Sequence, residues 1–126
     1  MPAPAERVIT MIMSPEVTGT QELTLLTSII PPGSSTGLHK HNGDEFMYVV
    51  TGRGEFVEKG RGQDFEPDCM LFGRANEEHQ VRNTGKDMLK LVCVYSPPLK
   101  PAGLLAEAVD LAKKHLTSIK KSTFST

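Results

Sequence analysis

Residues 33–52 read Gly-Ser-Ser-Thr-Gly-Leu-His-Lys-His-Asn-Gly-Asp-Glu-Phe-Met-Tyr-Val-Val-Thr-Gly, which sets His39, His41 and Glu45 between two glycines. Two histidines at i and i+2 of an extended strand project from one face, because side chains alternate with period two. Asn42-Gly43-Asp44 then predicts a tight turn, since Asn-Gly tolerates the positive φ that a hairpin requires. Glu45 opens the returning strand beside the histidine pair. On that strand Met47 and Val49 share the inward face, and Phe46, Tyr48 and Val50 point outward. Lys40 faces away from the pair. A further histidine, His79, arrives from a distant segment with Val81 on its face and Gln80 on the other. Three neutral imidazoles and one carboxylate form a borderline donor set, suited to Fe, Mn, Ni, Co, Cu or Zn rather than Ca or Mg. On an octahedral ion such a set leaves two positions for waters, a chelating substrate, or substrate plus dioxygen.

Outward from this segment, glycine and proline divide the chain into short stretches, the pattern of an antiparallel β domain. Expected strands are Glu22–Ile30, Leu38–His41, Glu45–Val50, Gly54–Val57, Cys69–Phe72, His79–Arg82 and Met88–Tyr95. Turn signals lie at Pro31-Pro32-Gly33, Gly52-Arg53-Gly54, Gly60-Arg61-Gly62 and Asn83-Thr84-Gly85. Strands this short and this regularly spaced imply a sandwich or closed barrel. The run Val8–Met13 is apolar enough to add a strand at an edge. After Ser96-Pro97-Pro98 the period changes: Leu105, Ala108, Val109, Ala112, Leu116 and Ile119 form one stripe of an amphipathic helix, with Glu107, Asp110, Lys114 and Lys121 opposite. Such a stripe is expected to pack across the outer face of the barrel or at a dimer seam. The tail from Lys120 reads as frayed.

With 126 residues, the chain is expected to be a single domain, with the barrel over about 20–97 and the helix over about 102–121. A hydrophobic content of 38% with 23% charged residues is that of a globular protein, and a net charge of −1 gives no reason to expect a nucleic-acid partner. No apolar run is long enough to span a membrane, and Met1–Glu16 lacks the basic-then-apolar order of a signal peptide. The expected location is the cytoplasm, with Cys69 and Cys93 reduced.

The spacing Gly33-x5-His39-x-His41-x3-Glu45-x6-Gly52 resembles the first motif of the cupin superfamily at every fixed position. The second cupin motif, Gly-x5-Pro-x-Gly-x2-His-x3-Asn, is matched in part by His79-x3-Asn83. Asp68 stands at its first glycine, and Arg74-Ala75-Asn76 replaces Pro-x-Gly. Asn76 can stand in for glycine, since asparagine also accepts a left-handed backbone, whereas loss of the proline predicts a looser loop before His79. The resemblance implies an all-β jelly-roll barrel (double-stranded β-helix), followed here by the C-terminal helix. It also implies a homodimer, and one divalent transition metal held by His39, His41, Glu45 and His79. Candidate acid–base groups are Glu77 and Glu78 before His79, Asp44 in the turn, and Tyr95, whose facing cannot be fixed across a loop. His115 is expected at the surface of the helix.

Cupins of this kind include metal-dependent isomerases, lyases and cyclases acting on small oxygen-rich substrates, oxygen-dependent dioxygenases, and non-catalytic small-molecule binders or sensors. The first class is the leading expectation for this chain, and the other two are the alternatives.

Overall fold

The computed structural model describes residues 5–123 of the chain, with side chains through His115. Its elements in chain order are β1 (Val8–Met13), α1 (Pro15–Thr18), β2 (Thr24–Ile30), β3 (Asp44–Thr51), β4 (Gly54–Glu58), β5 (Arg61–Phe65), β6 (Met70–Gly73), β7 (His79–Asn83), β8 (Leu89–Ser96) and α2 (Leu104–Thr123). They form two antiparallel sheets, a five-stranded one ordered β1-β2-β8-β3-β6 and a three-stranded one ordered β5-β4-β7. This is the all-β jelly-roll arrangement expected from the sequence, followed by a C-terminal helix.

Strict alternation decides which residues fill the barrel. On β3 the inward Met47 and Val49 are buried while Phe46 and Tyr48 are exposed, as the period-two pattern expects. The complementary inward residues are Leu26 and Ile30 of β2, Val81 of β7, and Leu89, Leu91 and Cys93 of β8, all withdrawn from solvent. Burying such a Leu or Ile side chain contributes about 1.5–3 kcal/mol each, so this single cluster is the main source of stability. Gly52, after β3, has φ +94°, and a Cβ there would lie 2.8 Å from the Leu89 backbone. A side chain at that turn would therefore collide with β8 as well as strain the backbone.

Two local expectations are corrected. Leu38–His41 is not a ladder strand; it is an extended segment held to β7 by a single bridge, His39 to His79. Asn42-Gly43 is not a positive-φ hairpin either. The chain there crosses from β7 to the other sheet, and a Cβ on Gly43 would lie 2.6 Å from both Pro97 Cδ and Ser96 O. Gly43 therefore serves close approach to the end of β8 rather than tight reversal. The hairpin with positive φ lies instead at Lys59-Gly60 (52° and 74°), and it exposes an unexpected strand, β5, beginning at Arg61. The polar sequence Arg-Gly-Gln-Asp hid that strand, because only Phe65 of β5 is buried.

The Val8–Met13 run does form an edge strand, pairing antiparallel with β2. Ser14 caps α1 by accepting from the Val17 amide at 3.2 Å. Ala108 and Val109 of α2 are buried, with Leu105 and Ala112 packed beside them. The helix lies on β1 and α1, so its stripe covers an outer edge of the barrel. Leu116, Ile119 and the tail from Lys120 lie outside the described side chains. His115 is exposed, and among the described residues no helix is long and apolar enough to cross a membrane.

Candidate metal centre

Four side chains from three parts of the fold converge in the barrel. Glu45 is the second residue of β3, His79 opens β7, and His39 and His41 come from the segment that bridges the sheets. One ligand atom from each lies within 4.8 Å of the others. The three Nε2 atoms face Glu45 Oε1, at 4.0 Å for His39, 3.5 Å for His41 and 2.8 Å for His79. Parity is preserved although the segment is not a regular strand: both histidines point inward and Lys40 is exposed.

The backbone sets which nitrogen each ring offers. His39 Nδ1 lies 2.8 Å from the Gly37 carbonyl, and His79 Nδ1 lies 3.0 Å from the Glu77 carbonyl. A carbonyl only accepts, so both rings donate through Nδ1–H and turn Nε2 toward the cluster. His41 Nε2 is buried with no hydrogen-bond partner. A buried lone pair without a donor is costly, and a cation is the partner that this donor set fits. The residues present therefore fit a divalent transition metal.

Electrostatics match that reading. Burial opposes ionisation of Glu45, but the neighbouring His41, His79 and Tyr95 side chains outweigh it and bring its carboxyl down to about 2. Burial also holds His39 down to about 4, leaving it a neutral donor near pH 7. For His79, burial acts downward, but its hydrogen bond and ion pair with Glu45 prevail and raise it. A metal would replace the proton shared across that pair.

The loop before His79 shows how the altered second motif works. Asp68 and Asn76, standing at glycine positions, both adopt left-handed backbone (φ 71° and 64°). The missing proline is offset by hydrogen bonds to the first motif: Asn76 N–H donates to His41 O at 2.7 Å, and Ala75 N–H donates to Asp44 Oδ1 at 2.9 Å. His39 and His79 exchange backbone hydrogen bonds at 3.0 and 2.9 Å. Asp44 is thus a loop anchor. Gly73 presses directly on the imidazole, since a Cβ there would lie 2.8 Å from His79 Cε1.

Of the acid–base candidates, Tyr95 reaches the cluster. It pairs with Glu45 in register across β8 and β3 and sets its ring 5.1 Å from that of His41. Burial, with the adjacent Glu45 charge, raises its phenol well above the ordinary range, so it stays a proton donor. Glu77 instead pairs with Lys59 at 3.3 Å, and Glu78 is exposed beside it on an outer groove. The structure does not bring either carboxylate to the cluster. Two neighbours were not anticipated: Phe56, whose ring is 5.8 Å from that of His79, and Glu58, paired with His79 across β4 and β7. Period-two counting along Gly54-Glu55-Phe56-Val57-Glu58 was the available signal for both.

The cupin domain family profile matches residues 26–95, the span that carries every one of these donors. An oxalate-binding protein of Thermotoga maritima is 38% identical over 66 residues, 52% of this chain and 54% of that protein. An L-ectoine synthase of Desulfatibacillum aliphaticivorans is 36% identical over 60% of this chain and 58% of its own length. The chain thus matches little more than half the length of these two relatives. Among solved structures, a predicted oxalate decarboxylase of Thermotoga maritima superposes with a TM-score of 0.66 at 26% identity, covering 75% of this chain and 93% of that one.

Proposed function

Starting from a chain that belongs to the cupin domain family, we propose that it is a metal-dependent enzyme acting on a small oxygen-rich organic substrate, in isomerase-, lyase- or cyclase-type chemistry. His39, His41, Glu45 and His79 hold one divalent transition metal. The observation that carries this reading is the convergence of four ligand atoms within 4.8 Å, one of them the buried and unpartnered Nε2 of His41. When bound, such an ion supplies Lewis acidity to a chelated substrate oxygen.

The protein's own groups do the rest. Glu45, hydrogen-bonded by His79 and kept ionised by its neighbours, supplies the negative charge. The Gly37 and Glu77 carbonyls orient His39 and His79. Met47, Val81 and Phe56 are buried inside the barrel and keep bulk water from the donors. Tyr95 holds a proton at its hydroxyl next to Glu45. Relatives named for oxalate binding and for ectoine synthesis support a small polar ligand.

One observation favours a non-catalytic binding cupin as the second reading. Glu77 and Glu78 sit outside the cluster, so of the expected acid–base groups only Tyr95 could serve a reaction. Oxygen uptake with diketones and catechols separates a dioxygenase from both. The proposal extends to a homodimer in the cytoplasm. The surface available to a second copy is the outer face of β3 and β6, where Phe46, Tyr48, Met70 and Phe72 are exposed together in register. The free thiols Cys69 and Cys93 accord with a reducing compartment.

Elemental analysis of purified protein tests the centre directly and should find about one transition metal per chain. His41→Ala should abolish retention while His115→Ala leaves it intact. Protein that stays metal-free after growth with added Fe, Mn, Ni and Zn, or equal effects of the two substitutions, would overturn the reading.

A further inference from the structure

Between β4 and β5 on one side and β6 on the other, the barrel opens into a cleft of about 780 Å³. Phe56, Phe65 and Leu71 give it an apolar base, and Glu58, Lys59, Arg61 and Asp64 add charge of both signs. The cleft adjoins the cluster, since Phe56 contacts His79 and Glu58 stands opposite His79 in register. Glu58 Oε2 is buried with no hydrogen-bond partner. Arg61 lies directly across the hairpin from Glu58, yet among the described residues it forms no ion pair with it. A carboxylate oxygen left without a donor beside a cleft is complementary to a ligand that brings one.

We infer that Glu58 is a specificity-determining residue that accepts a hydrogen bond from a hydroxyl on the ligand held at the metal centre, and that the ligand class is polyhydroxylated carboxylic acids. Lys59 and Arg61 share the wall with Asp64, so the lining offers cations to a carboxylate and acceptors to hydroxyls, a mixed character that suits a hydroxylated acid. A neutral hydroxyl is the donor that satisfies Glu58 without opposing those cations, and the apolar base accommodates the C–H face of a carbon chain. The inference rests on the metal-binding reading above.

Isothermal titration calorimetry on metal-loaded protein tests it with three probes. Glycolate reports the metal end alone. Gluconate and 2-hydroxyhexanoate share that end and the same chain length but differ in the distal hydroxyls. The expected result is gluconate binding about tenfold or more tightly than 2-hydroxyhexanoate, the effect of one hydrogen bond to a charged acceptor. Glu58→Leu should erase that ratio and leave glycolate unchanged. Glu58→Gln should keep part of it, because the amide oxygen still accepts. Equal affinities in the unmodified protein, or a ratio that survives Glu58→Leu, overturn the assignment of Glu58 while glycolate binding keeps the metal reading intact. Absence of glycolate binding overturns both. Should Glu58→Leu fail to fold, the unmodified protein and Glu58→Gln decide the question.

Discussion

The segment from Gly37 to Glu45 and the loop from Gly73 to His79 feed one cluster, but they are held in opposite ways. In the first, His39 and His41 keep side-chain exposures of 22% and 16%, and their aim comes from strand parity and a local Gly37 carbonyl. In the second, His79 is 1% exposed, and its loop is held by the first segment itself, through Asp44 Oδ1, the His41 carbonyl and the His39 bridge. The expected Pro-x-Gly stiffness is absent from the second loop, and tertiary hydrogen bonds replace it. Rigidity at a ligand can therefore be supplied from outside the motif that contains the ligand.

The largest effect should come from deleting the buried member of each pair of donors. His79→Ala removes the 2.8 Å partner of Glu45 and leaves that carboxylate buried. The metal-free protein should lose about 3 kcal/mol, measured by urea denaturation. His39→Ala, 4.0 Å away and partly exposed, should cost about 1 kcal/mol or less. Equal costs would erase the contrast. Next, Gly73→Ala places a Cβ 2.8–3.1 Å from three atoms of a ring that has nowhere to move. It should cost about 1–3 kcal/mol and weaken metal binding, although Gly73 is no ligand. Unchanged affinity by metal titration would mean that His79 is not seated by that contact.

Removing Asp44 Oδ1 tests the borrowed rigidity with a smaller effect. Asp44→Ala should cost about 1 kcal/mol and lower metal affinity, with the far-ultraviolet circular dichroism unchanged. A full-strength metal site in that variant would show that the loop stands by itself.

The pH response distinguishes the same two regions. His39 is held at about 4 against 6.5 in the unfolded chain, so the unfolded state binds more protons between those values and stability falls as pH falls through that range. His79 is raised, so its contribution is present below 6.5 and lost as pH rises through its folded value. Glu45, brought from 4.5 to about 2, contributes above 4.5 and loses that contribution only as pH falls toward 2. The metal-free protein should therefore be most stable near pH 6.5. Metal binding displaces the His79 proton, so the loaded protein should gain stability on the alkaline side instead. Denaturation with and without metal at about pH 5, 6.5 and 8.5 checks both slopes. Parallel profiles would contradict the shared-proton account.

The amino-acid sequence alone determined the barrel class, the facing of Met47 and Val49, the inward pair His39 and His41, and Glu45, because period-two alternation and short motif spacings are local. Asn76 was legible as a glycine substitute for the same reason: its left-handed backbone is a property of one residue. Strand β5 was not legible, since its polar face borders a cleft and leaves no apolar alternation to read. Nor was the facing of Tyr95, which depends on β8 lying beside β3 with Tyr95 opposite Glu45. Only the tertiary structure placed Tyr95 on Glu45, tied the 73–79 loop to the first segment, turned Glu77 toward Lys59, and set Glu58 beside His79. Each of these depends on which strands are neighbours and in what register, and that is decided by the collapse of the two sheets onto a common core.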